Sequence, residues 1–161
     1  DSNIAAFLRT IQQSEGTAKG ADPYRVCYGY KHTIQDLSDH PAITGEWHGE
    51  PLSSTMCINA GQMPGCVSTA AGAYQIIKKT WLGLKSKLGL TDFSAASQDA
   101  AAIELLRGCG ALDLISVGDI AGACAKARKI WASLPNAGYG QGERTVAWIE
   151  NQFQQAGGML A

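Results

Sequence analysis

The chain has 161 residues, 45% hydrophobic and 17% charged, with a formal net charge of −1. That is long enough to bury a core unaided, and it lacks the grouped Lys and Arg that capture nucleic acid or an anionic membrane through counterion release. No apolar run reaches the roughly 20 residues of a transmembrane helix. A start at Asp1 rather than Met is what a processed chain would show, any export or anchor segment having been removed.

Ile4, Phe7, Leu8 and Ile11 share one helical stripe, which predicts a first helix over residues 3–15 capped by Asp1 or Ser2. Four residues beyond Ile11 the same stripe carries Glu15, and Gly16 then ends the helix. A carboxyl group on an inward face, in the last helical turn, loses hydration and meets the carbonyl end of the helix dipole. Both effects favour the protonated acid, which is what a general acid needs. The plainer reading is a glutamate swung out to solvent at a frayed helix end.

The period then changes. Tyr24, Val26, Tyr28 and Tyr30 alternate with Arg25, Cys27, Gly29 and Lys31, predicting a strand within a small twisted sheet between about 22 and 52. Residues 53–70, rich in Gly, Ser and Thr, read as irregular. Helical spacing returns at Ile77, Trp81, Leu84 and Leu88, closed by Gly89. Ser94 caps a helix that carries Ala101 and Leu105 and stops at "GCG". A short helix covers 111–116. Asp119 caps another, with Ile120, Ala123, Ala127, Ile130 and Trp131 inward. The stretch "LPNAGYGQG" is a loop, and Val146, Ile149 and Phe153 make the last helix, closed by Gly157 and Gly158. Several helices around one small sheet make an α+β domain spanning 1–161.

The five cysteines match no zinc pattern, and the three evenly spaced histidines, His32, His40 and His48, fit no metal motif. Cys57 and Cys66 flank a Gly- and Pro-containing loop whose ends can meet, and a bridge there constrains the unfolded chain by roughly 2.5–3 kcal/mol. Cys109 and Cys124 form a second candidate pair and Cys27 is left over. Oxidised cysteines point outside the reducing cytosol, whereas the cytosolic reading has five free thiols. Trp81, Trp131 and Trp148 read as core and Trp47 as a surface contact. "STAAGAYQI" offers small residues, Tyr74 and Gln75 near a ligand, or simply a helix start with a buried Tyr. Residues 132–143, with Tyr139, suit a lip over a groove or an ordinary loop. No GxSxG elbow, P-loop or dinucleotide fingerprint is present.

Taken together and in order, "SEGT", "DLSDHP", "STAAGAYQ", "LGLTDFSAASQDAAA", "GALDLI", "GDI" and "IWASLPNAGYGQ" resemble the lambda-type phage endolysins through nearly the whole chain. The resemblance implies a lysozyme-like α+β fold, mostly helical, with one small antiparallel sheet bordering the substrate cleft. It also implies a lytic transglycosylase that cleaves the β-1,4 bond from N-acetylmuramic acid to N-acetylglucosamine and leaves a 1,6-anhydro end. The family's single catalytic glutamate falls on Glu15. Ser68, Tyr74, Gln75, Tyr139, Gln141 and Asp39 then fall on stretches expected to meet the glycan. No metal or organic cofactor is implied, and the partner is the peptidoglycan glycan strand, met by a monomer in the periplasm or outside the cell.

Asp39 also admits two other roles, a second carboxylate for a hydrolysing muramidase or a turn cap before Pro41. A wall-binding module without chemistry and a cysteine peptidase acting through Cys27 are the remaining alternatives. The chain departs from the family pattern in a longer stretch between "SDHP" and "AGAYQ", carrying Trp47, Cys57 and Cys66. Those extra cysteines suggest a disulfide-held loop, with Cys27 as a candidate redox switch.

Overall fold

The computed structural model describes residues 1–135 and 144–161. Two compact units emerge, one of residues 1–21 with 99–161 and one of residues 22–98.

In the first unit, helix α1 (Ser2–Glu15) packs on α6 (Leu112–Ser116) and α8 (Val146–Gln155), and α7 (Ile120–Ala127) packs on α6 and α8. The expected stripe of α1 does bury Phe7, Leu8 and Ile11, against a core that includes Ile115, Ile120, Ile149 and Phe153. Caps are supplied by short polar side chains. The Asp1 carboxylate accepts from the amides of Asn3 (2.8 Å) and Ile4 (3.4 Å), Asp119 from Gly122 (2.9 Å) and Thr145 from Trp148 (3.1 Å). Asn3 is buried and fastens the chain end: its Nδ2 donates to the carbonyls of Ile115 and Met159, both at 3.1 Å, and its Oδ1 accepts from the Met159 amide at 2.9 Å. Helix α7 stops at Ala127, so Ile130, expected inward, is 36% exposed, while Trp131 is buried.

The second unit holds α2 (Pro41–Thr44), β1 (Glu50–Pro51), α3 (Ser54–Asn59), β2 (Val67–Ser68) and α4 (Lys78–Leu88). Its core is aromatic. The Trp81 and Phe93 rings meet edge-on with centroids 4.7 Å apart, and His40 meets Phe93 at 5.1 Å. Gln98, in α5 (Ala95–Gly108), clamps this core through its amide. Its Oε1 accepts from Ala73 N (2.9 Å), and its Nε2 donates to the carbonyls of Tyr24 (3.0 Å) and Phe93 (2.8 Å). Gly72, at φ +81°, lies so close that a β-carbon there would collide with the Gln98 amide oxygen.

The class is α+β and mostly helical, but the sheet is smaller and placed later than expected. It consists of β1 and β2, antiparallel, with Glu50 opposite Ser68 and Pro51 opposite Val67. The alternating run at Tyr24–Lys31 is not a strand. Only single bridges form, Val26 with Thr33 and Cys27 with Ala71, because the chain turns at once: Tyr30 N donates to Cys27 O (3.0 Å), with Gly29 at φ +88° and Tyr30 at φ +60°. Two successive residues in the left-handed region reverse the backbone and end any ladder. The stretch expected to be irregular holds α3, capped by the Ser53 hydroxyl on Met56 N at 3.2 Å.

Cys57 and Cys66 are bridged, with Cα atoms 5.9 Å apart. Cys109 and Cys124 are not, which corrects the second expected pair. The Cys109 thiol, in the turn just after α5, donates to the carbonyl of Leu106 (3.4 Å), and Cys124 is buried within α7. Cys27 is buried too, and burial, reinforced by the Glu46 charge, pushes its thiol up to about 12. A thiol held protonated and out of solvent is a poor nucleophile and a poor redox sensor, which speaks against both readings of Cys27. Among the described residues no helix is long and apolar enough to cross a membrane.

Candidate active site

Glu15 is the last residue of α1, and Gly16 follows in the left-handed conformation (φ +82°), its amide donating to Gln13 O at 3.2 Å. No basic residue lies in the last turn of α1 to neutralise the carboxyl. One carboxyl oxygen, Oε2, accepts a hydrogen bond from the Ser133 hydroxyl, and that hydroxyl accepts in turn from Ser14 Oγ at 2.7 Å. Burial raises the Glu15 carboxyl above its ordinary range, and the Ser133 hydrogen bond opposes the rise without cancelling it. An acid so placed keeps its proton at higher pH than a surface glutamate and has a reason to release it when a basic oxygen comes within reach.

Ser133 was missed as an individual residue, although its segment was singled out. The signal that could have found it is the neighbouring pair Trp131 and Leu134, both buried, which leave only the small residues between them to face outward from the turn. Leu134 N donates to Trp131 O (3.1 Å), and Arg144 N donates to Ser133 O (2.8 Å). The Arg144 guanidinium stacks 4.6 Å from the centroid of the half-buried Trp148 ring.

Asp39 is differently occupied. Its Oδ1 accepts from the indole Nε1 of buried Trp81 (3.0 Å) and from His40 N (2.8 Å), and its Oδ2 pairs with Lys85 Nζ at 2.5 Å. Burial pushes its carboxyl up, but the hydrogen bonds from Lys85, Trp81 and the His40 amide outweigh it, so the carboxyl titrates below its ordinary range. Three donors leave little of this carboxylate for activating a water.

Tyr74, expected to offer a stacking face, is 1% exposed, with its ring edge-on to Tyr24 at 6.3 Å. Its ring belongs to the core. Gln75 sits at φ +52° and donates both amide hydrogens inward, to Gly72 O (2.9 Å) and Val26 O (3.2 Å), so it braces the turn that carries it. Ser68 is at the surface of β2, accepts from Ala70 N (3.3 Å), and borders a groove of about 390 Å³ with Leu52, Gln62, Thr69, Ile77 and Lys78. Tyr139 and Gln141 lie outside the described residues.

Of the histidines, His40 is buried, its Nδ1 accepting from Ala42 N (3.2 Å), which fixes the proton on Nε2 for donation to Ile76 O (2.8 Å). His32 pairs with Glu46 at 2.7 Å. No group of three or more His, Cys, Asp or Glu among the described residues could hold a metal ion. Trp47, expected as a surface contact, is half-buried.

A family model described as Endolysin matches residues 5–160. The endolysin of Escherichia phage P2 is 40% identical over 159 residues, covering 99% of this chain and 95% of that protein. The endolysin of Escherichia phage lambda is 38% identical over 160 residues, covering 96% and 91%. Among solved structures, a bacteriophage lambda lysozyme complexed with a chitohexasaccharide aligns with a TM-score of 0.81 at 36% identity, covering 100% of this chain and 97% of that one. A second lambda lysozyme structure aligns at 0.79 and 34% identity, with the same coverage.

Proposed function

The chain belongs to the endolysin family, and on that premise we propose that it is a peptidoglycan lytic transglycosylase in which Glu15 serves as both acid and base. Membership makes it a lysozyme-like, cell-wall-lytic enzyme. The proposal concerns the reaction and the residue that carries it. The observation behind it is the Glu15 carboxyl, biased toward its protonated form by burial yet held on one oxygen by Ser133.

On this reading Glu15 donates its proton to the oxygen linking N-acetylmuramic acid to N-acetylglucosamine. The C1–O bond breaks as the muramic acid ring gains oxocarbenium character, and the N-acetylglucosamine end leaves with a restored hydroxyl. Glu15, now a carboxylate, takes the proton of the C6 hydroxyl of the same muramic acid residue while O6 bonds to C1. The carboxyl ends as it began, and the 1,6-anhydro ring forms without water being consumed. A single carboxyl suffices, unlike the paired carboxylates of most glycosidases. The engagement of Asp39 with Trp81, Lys85 and His40 supports this over a hydrolytic route that would need Asp39 to activate water.

The substrate is then the glycan strand of peptidoglycan. Ser68, Tyr139 and Gln141 are its candidate contacts, and the chain acts as a single catalytic domain and a monomer, in the periplasm or outside the cell. The lambda lysozyme complexed with a chitohexasaccharide supports a glycan ligand. Mass spectrometry of fragments released from purified peptidoglycan tests the reaction. Anhydro-muramyl ends from the wild type, and none from Glu15→Gln, are expected. Reducing ends would instead make the enzyme a hydrolysing muramidase, and intact glycan from both would make it a binding module.

A further inference from the structure

Glu15 is not held by its own helix alone. Ser133 is 118 residues away in the chain, and its hydroxyl has one hydrogen, which goes to Glu15 Oε2. It accepts in turn from the Ser14 hydroxyl, at 2.7 Å. Ser14 is itself buried, 4% exposed, which holds that end of the chain of hydroxyls in place. The turn that bears Ser133 is fixed on both sides by buried Trp131 and Leu134, and its carbonyl is held by Arg144 N. A side chain gripped in this way loses little further entropy when it acts, which is the condition for a preorganised donor.

We propose that Ser133 is a positioning residue for the reaction: by donating to Oε2, with Ser14 donating to it in turn, it directs the transferable proton of Glu15 to Oε1 and holds the carboxylate that forms when the proton leaves. The inference rests on Glu15 being the acid. The carbonyl oxygen of a carboxylic acid is a better acceptor than its hydroxyl oxygen, so a donor fixed on Oε2 favours the acid proton on the other oxygen. When Glu15 ionises, the Ser133 bond changes from a neutral one to a charge-assisted one and strengthens. It therefore stabilises the transition state more than the ground state, which is the kind of interaction that raises turnover rather than affinity. The same bond explains why the carboxyl, although raised by burial, remains acidic enough to give up its proton.

Three variants test this, with pH profiles of peptidoglycan cleavage and a direct titration of the Glu15 carboxyl by ¹³C NMR. Ser133→Ala is expected to lower kcat by roughly 10- to 100-fold with KM little changed, the size of a lost hydrogen bond to a charged group. It should also move the Glu15 titration and the alkaline limb of the profile upward. Ser133→Thr, which keeps a hydroxyl, should recover most of the rate, and Ser14→Ala should move both readouts in the same direction by less. Loss of rate in Ser133→Ala with an unmoved Glu15 titration would overturn the proposal, since a merely structural serine does that. So would a full rate in Ser133→Ala. Glu15→Gln run beside them separates the two claims: if it stays active, the assignment of Glu15 fails first, and a Glu15 titration that still follows Ser133 shows the contact to be real but without catalytic use.

Discussion

Two carboxyl groups in this protein meet partial burial with opposite results. Glu15, in the first unit, accepts from one serine and is raised; Asp39, in the second, accepts from an indole, an amide and an ammonium and is lowered. Burial pushes both upward; the donors on Asp39 outweigh it, and the Ser133 hydroxyl on Glu15 does not. Asp39 is spent on holding Trp81 and Lys85 in place, while Glu15 is biased toward the proton that a general acid needs.

The largest effect should come from removing the raised group. Glu15→Gln is expected to lower the rate of peptidoglycan cleavage by about 10³-fold, within the range of a lost general acid, with the circular dichroism spectrum unchanged. Turbidity clearing of wall preparations measures it, and a variant retaining a tenth of wild-type activity would remove Glu15 from the mechanism.

Next is the opposite member of the pair. Asp39→Ala strips the acceptor from the indole of fully buried Trp81 and the counter-charge from Lys85. A cost of about 2–3 kcal/mol in urea unfolding is expected, the penalty for an unpaired buried donor, while the released ends stay of the anhydro type. Loss of activity in a variant that stays folded would give Asp39 a catalytic part after all.

The pH dependence sharpens the contrast. Because the folded protein holds Asp39 below its ordinary value of 3.8, its contribution to stability is present above that value and is lost as pH falls through the lower folded value. Lys85→Met removes one of the donors responsible, so the acid unfolding transition should move to higher pH. An unchanged acid midpoint would mean that the ion pair is idle.

The smallest effect is a gain. The Glu15 carboxyl is raised above its ordinary 4.5, so its contribution is fully present below that pH and is lost as pH rises through the folded value. Glu15→Gln should therefore stabilise the protein at neutral pH by roughly 0.5–1 kcal/mol, a common trade between a functional group and the fold. Melting temperatures that differ equally at pH 4 and pH 7 would trace the gain to packing instead of charge.

Much of the helical framework was legible because its signals are local. Apolar spacing in α1, α4 and α8, the caps at Asp1 and Asp119, and the stops at Gly16 and Gly89 are each written within a few residues. The Cys57–Cys66 bridge was legible for the same reason, since a short Gly- and Pro-containing loop brings its own ends together. The strand misread at Tyr24–Lys31 shows the limit of alternation: a period of two cannot reveal that Gly29 and Tyr30 turn left-handed and fold the segment back. Cys109 and Cys124, 15 positions apart in sequence, looked pairable, but one lies in the turn after α5 and the other is buried within α7, and both are free.

By itself the sequence determined the longer helices, the stops of α1 and α4, and that a glutamate ends the buried stripe of the first one, because those outcomes depend on neighbours within one or two helical turns; it did not reveal the short helices α2 and α3 or the end of α7 at Ala127. Only the tertiary structure decided what that glutamate meets. Ser133 reaches Glu15 across 118 positions and Lys85 reaches Asp39 across 46. Hydrogen-bond donors act over about 3 Å of space whatever their separation along the chain, so the sign of each carboxyl's shift became visible only once the chain had folded.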